Sequence, residues 1–214
     1  MTKKIHHYNS DKIDISWDKT RCLHVAECVL GLRAVFDTSK TPWIDPQAAD
    51  ASHIAAVIHR CPTGALQYES KAEGLKEIPD AQNTIRVAVD GPLYVRGDVA
   101  LTVGGESVKE IRMALCRCGH STKKPYCDGS HTRVGFEDNG HGTSKTVAET
   151  LPSGPINVTP RANGSILIEG PFEVQSSDGR ILYRGEKVSL CRCGGSQSKP
   201  FCDGSHKTNG FVAE

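Results

Sequence analysis

The sequence predicts an α+β fold, with a small α/β module in residues 1–75 followed by two β-rich modules in residues 76–140 and 141–214. A cysteine-bearing segment occurs twice in the chain, which indicates a tandem repeat. Alternating apolar and polar residues precede each copy, as is typical of strands. The first 75 residues lack that segment and combine short alternating runs with one apolar stripe at helical spacing.

The first module is predicted to contain two strands and one helix. Residues 13–17 alternate apolar and polar side chains, and residues 65–68 resume a strand pattern. Asp45 and Pro46 predict the start of the helix, because proline is well placed at the first helical position. An apolar stripe at helical spacing runs from Ala51 through Ile58. The helix is expected to end near Cys61, which a proline follows.

Two segments further along the chain are closely similar. Residues 116–131 read CRCGHSTKKPYCDGSH, and residues 191–206 read CRCGGSQSKPFCDGSH. Three cysteines and one histidine recur with identical spacing, 75 positions apart. His120 of the first copy is replaced by Gly195 in the second, so His120 is not expected to be a required ligand.

The similarity extends beyond the two segments. A Gly-Pro pair lies upstream of each copy, at Gly91 and at Gly170, and a Gly-Phe pair follows each copy. A short helix capped by aspartate or serine is expected directly after each third cysteine. Residues 137–155, rich in Gly, Ser and Thr, are predicted to be a linker. The strand-like runs are residues 84–89, 166–169 and 187–190, with turn signals at residues 90–91 and 178–179.

Composition excludes several classes of protein. With 37% hydrophobic residues, the chain can bury a core and is not disordered. A net charge of +1 provides no electrostatic basis for binding nucleic acid or a membrane surface. No run approaches the roughly 20 apolar residues of a membrane helix, and no apolar run follows the first basic residues. The cytoplasm is therefore expected, where nine cysteines, an odd number, favour metal binding over disulfides.

The repeated segment has the spacing of a four-donor metal site. A Cys-x-Cys pair is followed by a third cysteine nine residues later and by a histidine four residues beyond that. Three cysteines and one histidine suit a structural zinc ion as well as an iron–sulfur cluster. Spacing alone leaves both possibilities open.

Both segments resemble the CDGSH iron–sulfur domain (mitoNEET-like) family, whose pattern is C-x-C-x₂-[ST]-x₃-P-x-C-D-G-[ST]-H. Both copies match every fixed position of this pattern. The resemblance implies that each copy binds one [2Fe–2S] cluster. The implied ligands of the first cluster are Cys116, Cys118, Cys127 and His131, and those of the second are Cys191, Cys193, Cys202 and His206.

Relatives with a single motif form homodimers with a β-cap and a two-cluster region, so a chain with two motifs resembles such a dimer fused into one polypeptide. We therefore expect an internal pseudo-two-fold in a monomer. Residues expected to support the clusters are Ser121, Ser196, Asp128 and Asp203, with capping as the simpler role of the two aspartates. The loop lysines Lys123, Lys124 and Lys199 are expected to be solvated.

The remaining cysteines, Cys22, Cys28 and Cys61, resemble a divergent single-cluster ferredoxin domain. Cys22 and Cys28 occupy the first and third places of the bacterial C-x₂-C-x₂-C run, and Val25 replaces the second. Cys61 begins a CPTGAL run like the Cys-Pro ending of ferredoxins. Three thiolates suit a [3Fe–4S] cluster, whereas a [4Fe–4S] cluster needs a fourth ligand, for which His24 and Glu27 are candidates. Three metal-free buried cysteines are the alternative.

The ligands favour electron transfer as the function. One neutral imidazole per cluster raises the reduction potential, and protonation of that imidazole at low pH would release the cluster. Storage, transfer or sensing of pH-labile clusters is therefore the alternative. The sequence contains no recognisable nucleophile–base pair or nucleotide-binding loop, so no catalytic turnover is expected. The expected partner is a redox protein or an apo-protein that accepts clusters.

Overall fold

The computed structural model describes residues 4–145 and 147–213, which form two compact units that divide between Ile78 and Pro79. Strands dominate and the helices are few and short, so the α+β class is confirmed in this coarse form. Within the described residues, every helix is too short or too polar to cross a membrane.

The first unit is a three-stranded antiparallel sheet with two short helices. The strands lie in the order β1–β2–β3 along the sheet. The elements are β1 (Ile5–Tyr8), β2 (Ile13–Asp18), α1 (Glu27–Gly31), α2 (Ala51–Ile58) and β3 (Leu66–Ser70).

Alternation along β2 and helical spacing along α2 supply the core of the first unit. Ile13 and Ile15 of β2 are buried, as the period of two predicts. Ile54 and Ile58 of α2 are also buried, since residues four apart lie on one face of a helix. These side chains belong to one apolar cluster that also contains Phe36.

The predicted start of the helix in this unit is wrong by several residues. Asp45 and Pro46 form a turn, in which the Asp45 carboxylate accepts the Gln47 amide at 3.0 Å. The helix begins at Ala51, after Asp50 in extended conformation at the N-cap. An aspartate that bonds the amide two residues later favours a turn over a helix start, and this local competition explains the error.

Each repeat contributes three strands to the second unit. The first repeat supplies β4 (Thr84–Val87), β5 (Leu93–Val103) and β6 (Glu106–Leu115). The second repeat supplies β7 (Ile156–Pro160), β8 (Ile166–Gln175) and β9 (Ile181–Leu190).

The two repeats exchange strand partners in the same way. In each repeat the first strand pairs antiparallel with its own second strand and parallel with the second strand of the other repeat. The registers agree, because β4 pairs Thr84 with Glu173 and β7 pairs Asn157 with Ala100. The four strands β4, β5, β7 and β8 therefore close into a ring, with β6 and β9 added outside it.

These registers correct one detail of the sequence comparison. Leu93 and Ile166 occupy equivalent places, since each begins the second strand of its repeat. Gly170 therefore corresponds to Gly97 and not to Gly91. At each of these two glycines the long strand changes from one pairing partner to another. Both glycines have positive φ at the bend of a long strand, a conformation that glycine adopts without steric cost.

The ring encloses the apolar core of the second unit. Its side chains come from both repeats; burial alternates along β5, whereas β8 contributes two runs of consecutive buried residues. The fully buried members are Ile85, Val87, Leu93, Met113, Leu115, Ile156, Val158, Ile166, Ile168, Phe172, Val174, Leu182 and Leu190. Residues 137–155, apart from Thr146, which lies outside the described residues, contain no strand of their own, and Lys145 and Ala148 donate to carbonyls of β9.

The two cysteine-bearing loops meet between the repeats. Cys118 and Cys193 form an antiparallel bridge. The next residues, Gly119 and Gly194, have φ near +86° and +80°. A Cβ atom on Gly119 would lie 2.6 Å from the Cys193 carbonyl oxygen, and a Cβ on Gly194 would lie 2.6 Å from that of Cys118. The repeats can approach this closely only because neither glycine has a side chain.

We expect Gly119→Ala to destabilise the second unit more than Gly105→Ala. The two glycines share the positive φ, +86° and +85°, so both substitutions incur the same left-handed strain. Only Gly119 adds a clash, because nothing lies within 4 Å of a Cβ on Gly105. The expected difference is about 1–3 kcal/mol in the free energy of unfolding, measured by denaturant titration. Equal losses in the two variants would show that the loops do not meet at this point.

Candidate metal centres

Each repeated segment leaves the last strand of its repeat and folds back on it. In the first copy the Cys116 amide donates to the Pro125 carbonyl at 2.9 Å, and the Cys127 amide donates to the Ala114 carbonyl at 2.9 Å. In the second copy the amides of Cys191 and Cys202 make the equivalent bonds at 2.8 and 2.9 Å. The third cysteine of each copy is therefore held beside the first two by backbone hydrogen bonds.

The four candidate ligands of each copy lie as two close pairs. In the first copy the Sγ atoms of Cys116 and Cys118 are 3.7 Å apart, and Cys127 Sγ lies 3.3 Å from His131 Nδ1. In the second copy the corresponding distances are 3.9 Å between Cys191 and Cys193, and 3.4 Å between Cys202 and His206. The structure thus places the eight side chains that the sequence predicts as ligands in four close pairs, two in each copy.

These distances match donors that share one tetrahedral metal ion. Two sulfurs bound at 2.3 Å in tetrahedral geometry are about 3.8 Å apart, and a sulfur and an imidazole nitrogen are about 3.5 Å apart. Two such pairs in each copy provide for two metal ions rather than one. Among the residues the structure describes, no three cysteine, histidine or acidic side chains converge on the position of a single ion. The ligands of each copy fit a two-iron cluster.

The protein environment changes the acidity of these ligands. A hydrogen bond with Cys118 lowers the pKa of the Cys116 thiol. Burial raises the pKa of both Cys127 and Cys191 to about 11. Burial and the positive charge of Arg117 lower the pKa of His131, which favours the neutral imidazole that binds a metal.

The side chains of the supporting serines and aspartates fix the loops, and the backbone amides of Ser121, Ser196 and Asp128 hydrogen-bond the sulfurs of Cys116, Cys191 and Cys127 respectively. Ser121 Oγ donates to the Tyr126 carbonyl at 2.7 Å, and Ser196 Oγ donates to that of Phe201 at 2.7 Å. Asp128 accepts from the amide and hydroxyl of both Thr122 and Ser130, at 2.6–3.0 Å.

The short helices follow the two aspartates as predicted, α3 (Ser130–Arg133) and a 3-10 helix (Ser205–Lys207). Asp203 accepts from the Gln197 amide and from the amide and hydroxyl of Ser205. The N-cap position of each helix is a glycine with positive φ, Gly129 or Gly204, and not the aspartate or serine that the sequence predicts. Each aspartate lies one residue earlier and bonds the first helical amide.

Sequence reasoning missed the arginine within each Cys-x-Cys pair. Arg117 and Arg192 are each only 1% exposed. Arg117 donates to the carbonyl oxygens of Gly91 and Ala88 and to the Asp138 carboxylate, at 2.5–2.7 Å. The signal was present in the sequence, because arginine occurs at this position in both copies and a buried guanidinium needs several acceptors.

All three loop lysines are partly buried rather than fully solvated, and two of them make matched contacts. Lys124 donates to the Ser121 carbonyl at 2.6 Å, and Lys199 donates to that of Ser196 at 2.7 Å. Each ammonium also lies over a phenylalanine of the other repeat, 5.8 Å from the Phe211 ring for Lys124 and 6.0 Å from the Phe136 ring for Lys199. The lysines therefore join the two motif loops.

A separate cavity of about 530 Å³ lies in the first unit. All three remaining cysteines line it, and burial raises the pKa of Cys28 to about 11. Electrostatic interactions with Cys61 and Cys22 raise it further, so both of these sulfurs lie within electrostatic reach of Cys28. The space and the three thiols fit a cluster larger than a single ion.

The candidates for a fourth ligand line the same cavity. His24 and Glu27 both border it, and Val25 lies between them, 42% exposed, where a ferredoxin carries a cysteine. Positive φ at His24 and at Ala26 turns the chain sharply around this part of the cavity. The helix α1, which was not predicted from the sequence, begins directly after this turn.

Comparison with known proteins identifies two kinds of domain in the chain. Residues 8–71 match the family model described as "Divergent 4Fe-4S mono-cluster". Residues 90–132 and 163–207 each match the one described as "Iron-binding zinc finger CDGSH type". The proteins named "Uncharacterized protein YjdI" of Escherichia coli K12 and O157:H7 are 38% identical over 64 residues, which cover 30% of this chain and 84% of the relative.

We expect Asp128→Asn to destabilise the second unit by about 1–2 kcal/mol at neutral pH, because the amide cannot accept from all four donors. Partial burial alone would raise the pKa of Asp128, but hydrogen bonds from Ser130 and Thr122 hold it well below its usual range. Such a carboxylate stabilises the fold above its unfolded-state pKa, near 3.9, and this contribution is lost as pH falls through the lower folded-state value.

Denaturant unfolding between pH 3 and 8 tests this expectation. The difference between wild type and Asp128→Asn should be constant down to about pH 5 and shrink only below about pH 4. The exposed Asp98→Asn in the same unit is the control and should change stability by less than about 0.5 kcal/mol. A difference that already shrinks between pH 7 and 5 would contradict the assigned hydrogen bonds.

Proposed function

Because the chain belongs to the divergent 4Fe–4S mono-cluster family through residues 8–71 and to the CDGSH family through its two repeats, we propose that it is an iron–sulfur electron carrier with three centres. Two are [2Fe–2S] clusters in the second unit. The third is a [3Fe–4S] cluster in the first unit, with [4Fe–4S] as the alternative that the family description favours.

One observation carries the electron-transfer proposal. The bridge between Cys118 and Cys193 joins a ligand of one cluster to a ligand of the other. Residues paired in this way have Cα atoms about 4.5–5.5 Å apart. The two clusters would therefore be neighbours in one rigid unit, an arrangement that suits exchange of single electrons.

A [2Fe–2S] cluster, when bound, would accept and return one electron. No bond of a substrate would be made or broken. Cys116 with Cys118 would hold one iron of the first cluster, and Cys127 with His131 the other, since these are the pairs at ligand distance. Imidazole in place of a thiolate removes one negative charge from the cluster and raises its reduction potential.

The protein's own residues prepare the sites for this role. Buried thiols are reluctant to ionise, so the metal must stabilise their thiolates, and the neighbouring backbone amides assist. The serine, aspartate and lysine contacts within each loop hold the donors at fixed positions. A site that keeps its geometry in both redox states needs little reorganisation when an electron arrives.

In the first unit, Cys22, Cys28 and Cys61 would bind the third cluster. Three thiolates supply the ligands that a three-iron cluster requires, and His24 or Glu27 would supply a fourth to a four-iron cluster. The iron content distinguishes the two.

A second candidate function, release or transfer of clusters, is favoured by the accessibility of the histidines. His131 and His206 are partly exposed, whereas Cys116 and Cys191 are buried. Protons in solution can therefore reach the imidazole of each site, and imidazole is the side chain whose charge ordinarily changes near neutral pH.

Iron and sulfide content of the anaerobically purified protein, with its visible spectrum, tests the proposal. We expect a coloured protein with about seven irons per chain, or about eight with a four-iron cluster. Cys127→Ala and Cys202→Ala should each remove about two irons, and Cys28→Ala about three or four. The matched control is His120→Gly, which copies the residue of the second repeat and should keep all the iron. A colourless protein that contains zinc would refute an electron-carrier role.

Acid release is expected to depend on the histidine ligands. Lowering the pH from 8 to 5 should speed cluster loss in wild type, because protonated imidazole cannot bind iron. Protonation of Asp128 or Asp203 does not explain such loss. Hydrogen bonds from Ser130 and Thr122 to Asp128, and from Ser205 and Gln197 to Asp203, keep the pKa of both carboxyls well below the range from pH 8 to 5.

His206→Cys should therefore slow the loss of one cluster at pH 5 by about tenfold or more, measured as decay of visible absorbance after a pH jump. The His120→Gly variant serves again as the control, with wild-type decay. Equal decay of His206→Cys and wild type would show that the histidine does not control release.

A further inference from the structure

The two motif loops have the same surroundings at almost every position. In each, a phenylalanine ring lies between the buried arginine of its own motif and a lysine of the other motif. The arginine carbon lies 5.0 Å from the ring centre in the first copy and 5.8 Å in the second. The chain after each Gly-Phe pair then returns to the hairpin turn of its own repeat.

This return is built the same way in both copies. In the first copy the Asp138 amide donates to the Asp90 carboxylate at 2.6 Å, and the Asp90 amide donates to the Asp138 carbonyl at 2.9 Å. In the second copy Ala213 and Asn163 make the same two bonds, at 2.9 and 2.7 Å. The backbone of residue 213 therefore occupies the place that residue 138 occupies in the first copy.

The charges at these matched positions differ. Asp138 accepts from Arg117 Nη1 at 2.6 Å, and its carboxylate also accepts the Gly140 amide at 2.9 Å. Alanine at position 213 has no carboxylate to offer. Asp90, likewise, is matched by the neutral Asn163. The first copy thus has one carboxylate paired with its buried arginine, Asp138, and a second, exposed one at Asp90, where the second copy has uncharged side chains.

The Arg117–Asp138 pair lies close enough to affect the first cluster. The Arg117 guanidinium acts electrostatically on His131, a ligand of that cluster. Arg117 is almost fully buried and Asp138 is only 17% exposed, so their charges act through a medium of low dielectric constant. The first copy also has Lys123 and Arg133 where the second has Ser198 and Thr208. Arg133 is exposed and screened by solvent, so its charge counts for less.

We propose that Asp138 makes the two [2Fe–2S] clusters inequivalent, lowering the reduction potential of the first-motif cluster so that the second-motif cluster is reduced first. This inference rests on the proposed function. A negative charge disfavours the addition of an electron to a nearby cluster, and it also compensates the Arg117 charge that would favour that addition. The electron enters one cluster from the reductant, and no covalent bond forms or breaks.

The test is a redox titration of the whole chain with dithionite and dye mediators, followed by electron paramagnetic resonance. We expect two one-electron steps from the [2Fe–2S] clusters at different potentials. Asp138→Asn keeps an oxygen acceptor for Arg117 and Gly140 but removes the charge, so the lower potential should rise. The expected rise is about tenfold in the equilibrium constant, or about 59 mV for one electron.

Ala213→Asp is the reciprocal variant, since it places a carboxylate at the matched position of the second copy. It should lower the higher potential by a similar amount. Glu137→Gln is the control, because it changes the net charge equally at an exposed neighbouring position and should move neither step.

Three results would overturn the inference: an unchanged lower step in Asp138→Asn, movement of the higher step instead, or an equal shift in Glu137→Gln. If Asp138→Asn folds poorly, Ala213→Asp decides by itself. A lower potential for the higher step supports the inference, and an unchanged potential overturns it. Failure of the proposed function would look different, since the wild-type protein would then lack the iron and the two reduction steps altogether.

Discussion

The close approach of the two motif loops is the constraint on which the second unit depends. Cys118 and Cys193 pair directly, and a Cβ atom on either following glycine would meet the opposite carbonyl at 2.6 Å. Backbones meet this closely only where side chains are absent. Three other features are consistent with this contact. Strands pair between the repeats, both repeats contribute to one apolar core, and Lys124 and Lys199 each lie over a phenylalanine of the other repeat. The two sets of candidate ligands thus share one wall instead of occupying separate modules.

The buried arginines connect this contact to the rest of each repeat. Arg117 would be costly to bury alone, and its hydrogen bonds to Gly91, Ala88 and Asp138 offset that cost. Through these bonds the ligand loop, the hairpin turn and the segment after the motif become one mechanical unit. A ligand loop held in this way keeps its donors paired at metal-binding distance, and it places fixed charge beside the cluster at the same time.

The first unit holds its cysteines differently. There the three thiols border a cavity of about 530 Å³, and no repeated loop supports them. The helix α2 and the sheet supply a conventional apolar core beside the cavity, with Ile54 and Ile58 fully buried. The same chain therefore combines two ways of holding iron and sulfur, one within a shared wall between repeats and one at the edge of a small core.

The sequence by itself determined the repeat, the candidate ligand residues and some of the strands, because these depend on local spacing and on residue chemistry. The strands β4, β8 and β9 follow from alternation, and the pairing of ligands follows from the Cys-x-Cys and Cys-Asp-Gly-Ser-His spacings. The error at Asp45 is also local, since an aspartate suits a turn as well as a helix start.

Only the tertiary structure decided which strands exchange partners, that the two loops meet at Cys118 and Cys193, and that Asp138 lies against Arg117. These contacts join residues far apart in the chain, and their energies depend on burial and on the carbonyl oxygens that come within reach. The spacing of residues along the sequence does not predict such distances in space. The sequence shows that Asp138 of the first copy is matched by Ala213 of the second. Only the structure shows that Asp138 pairs with the buried Arg117.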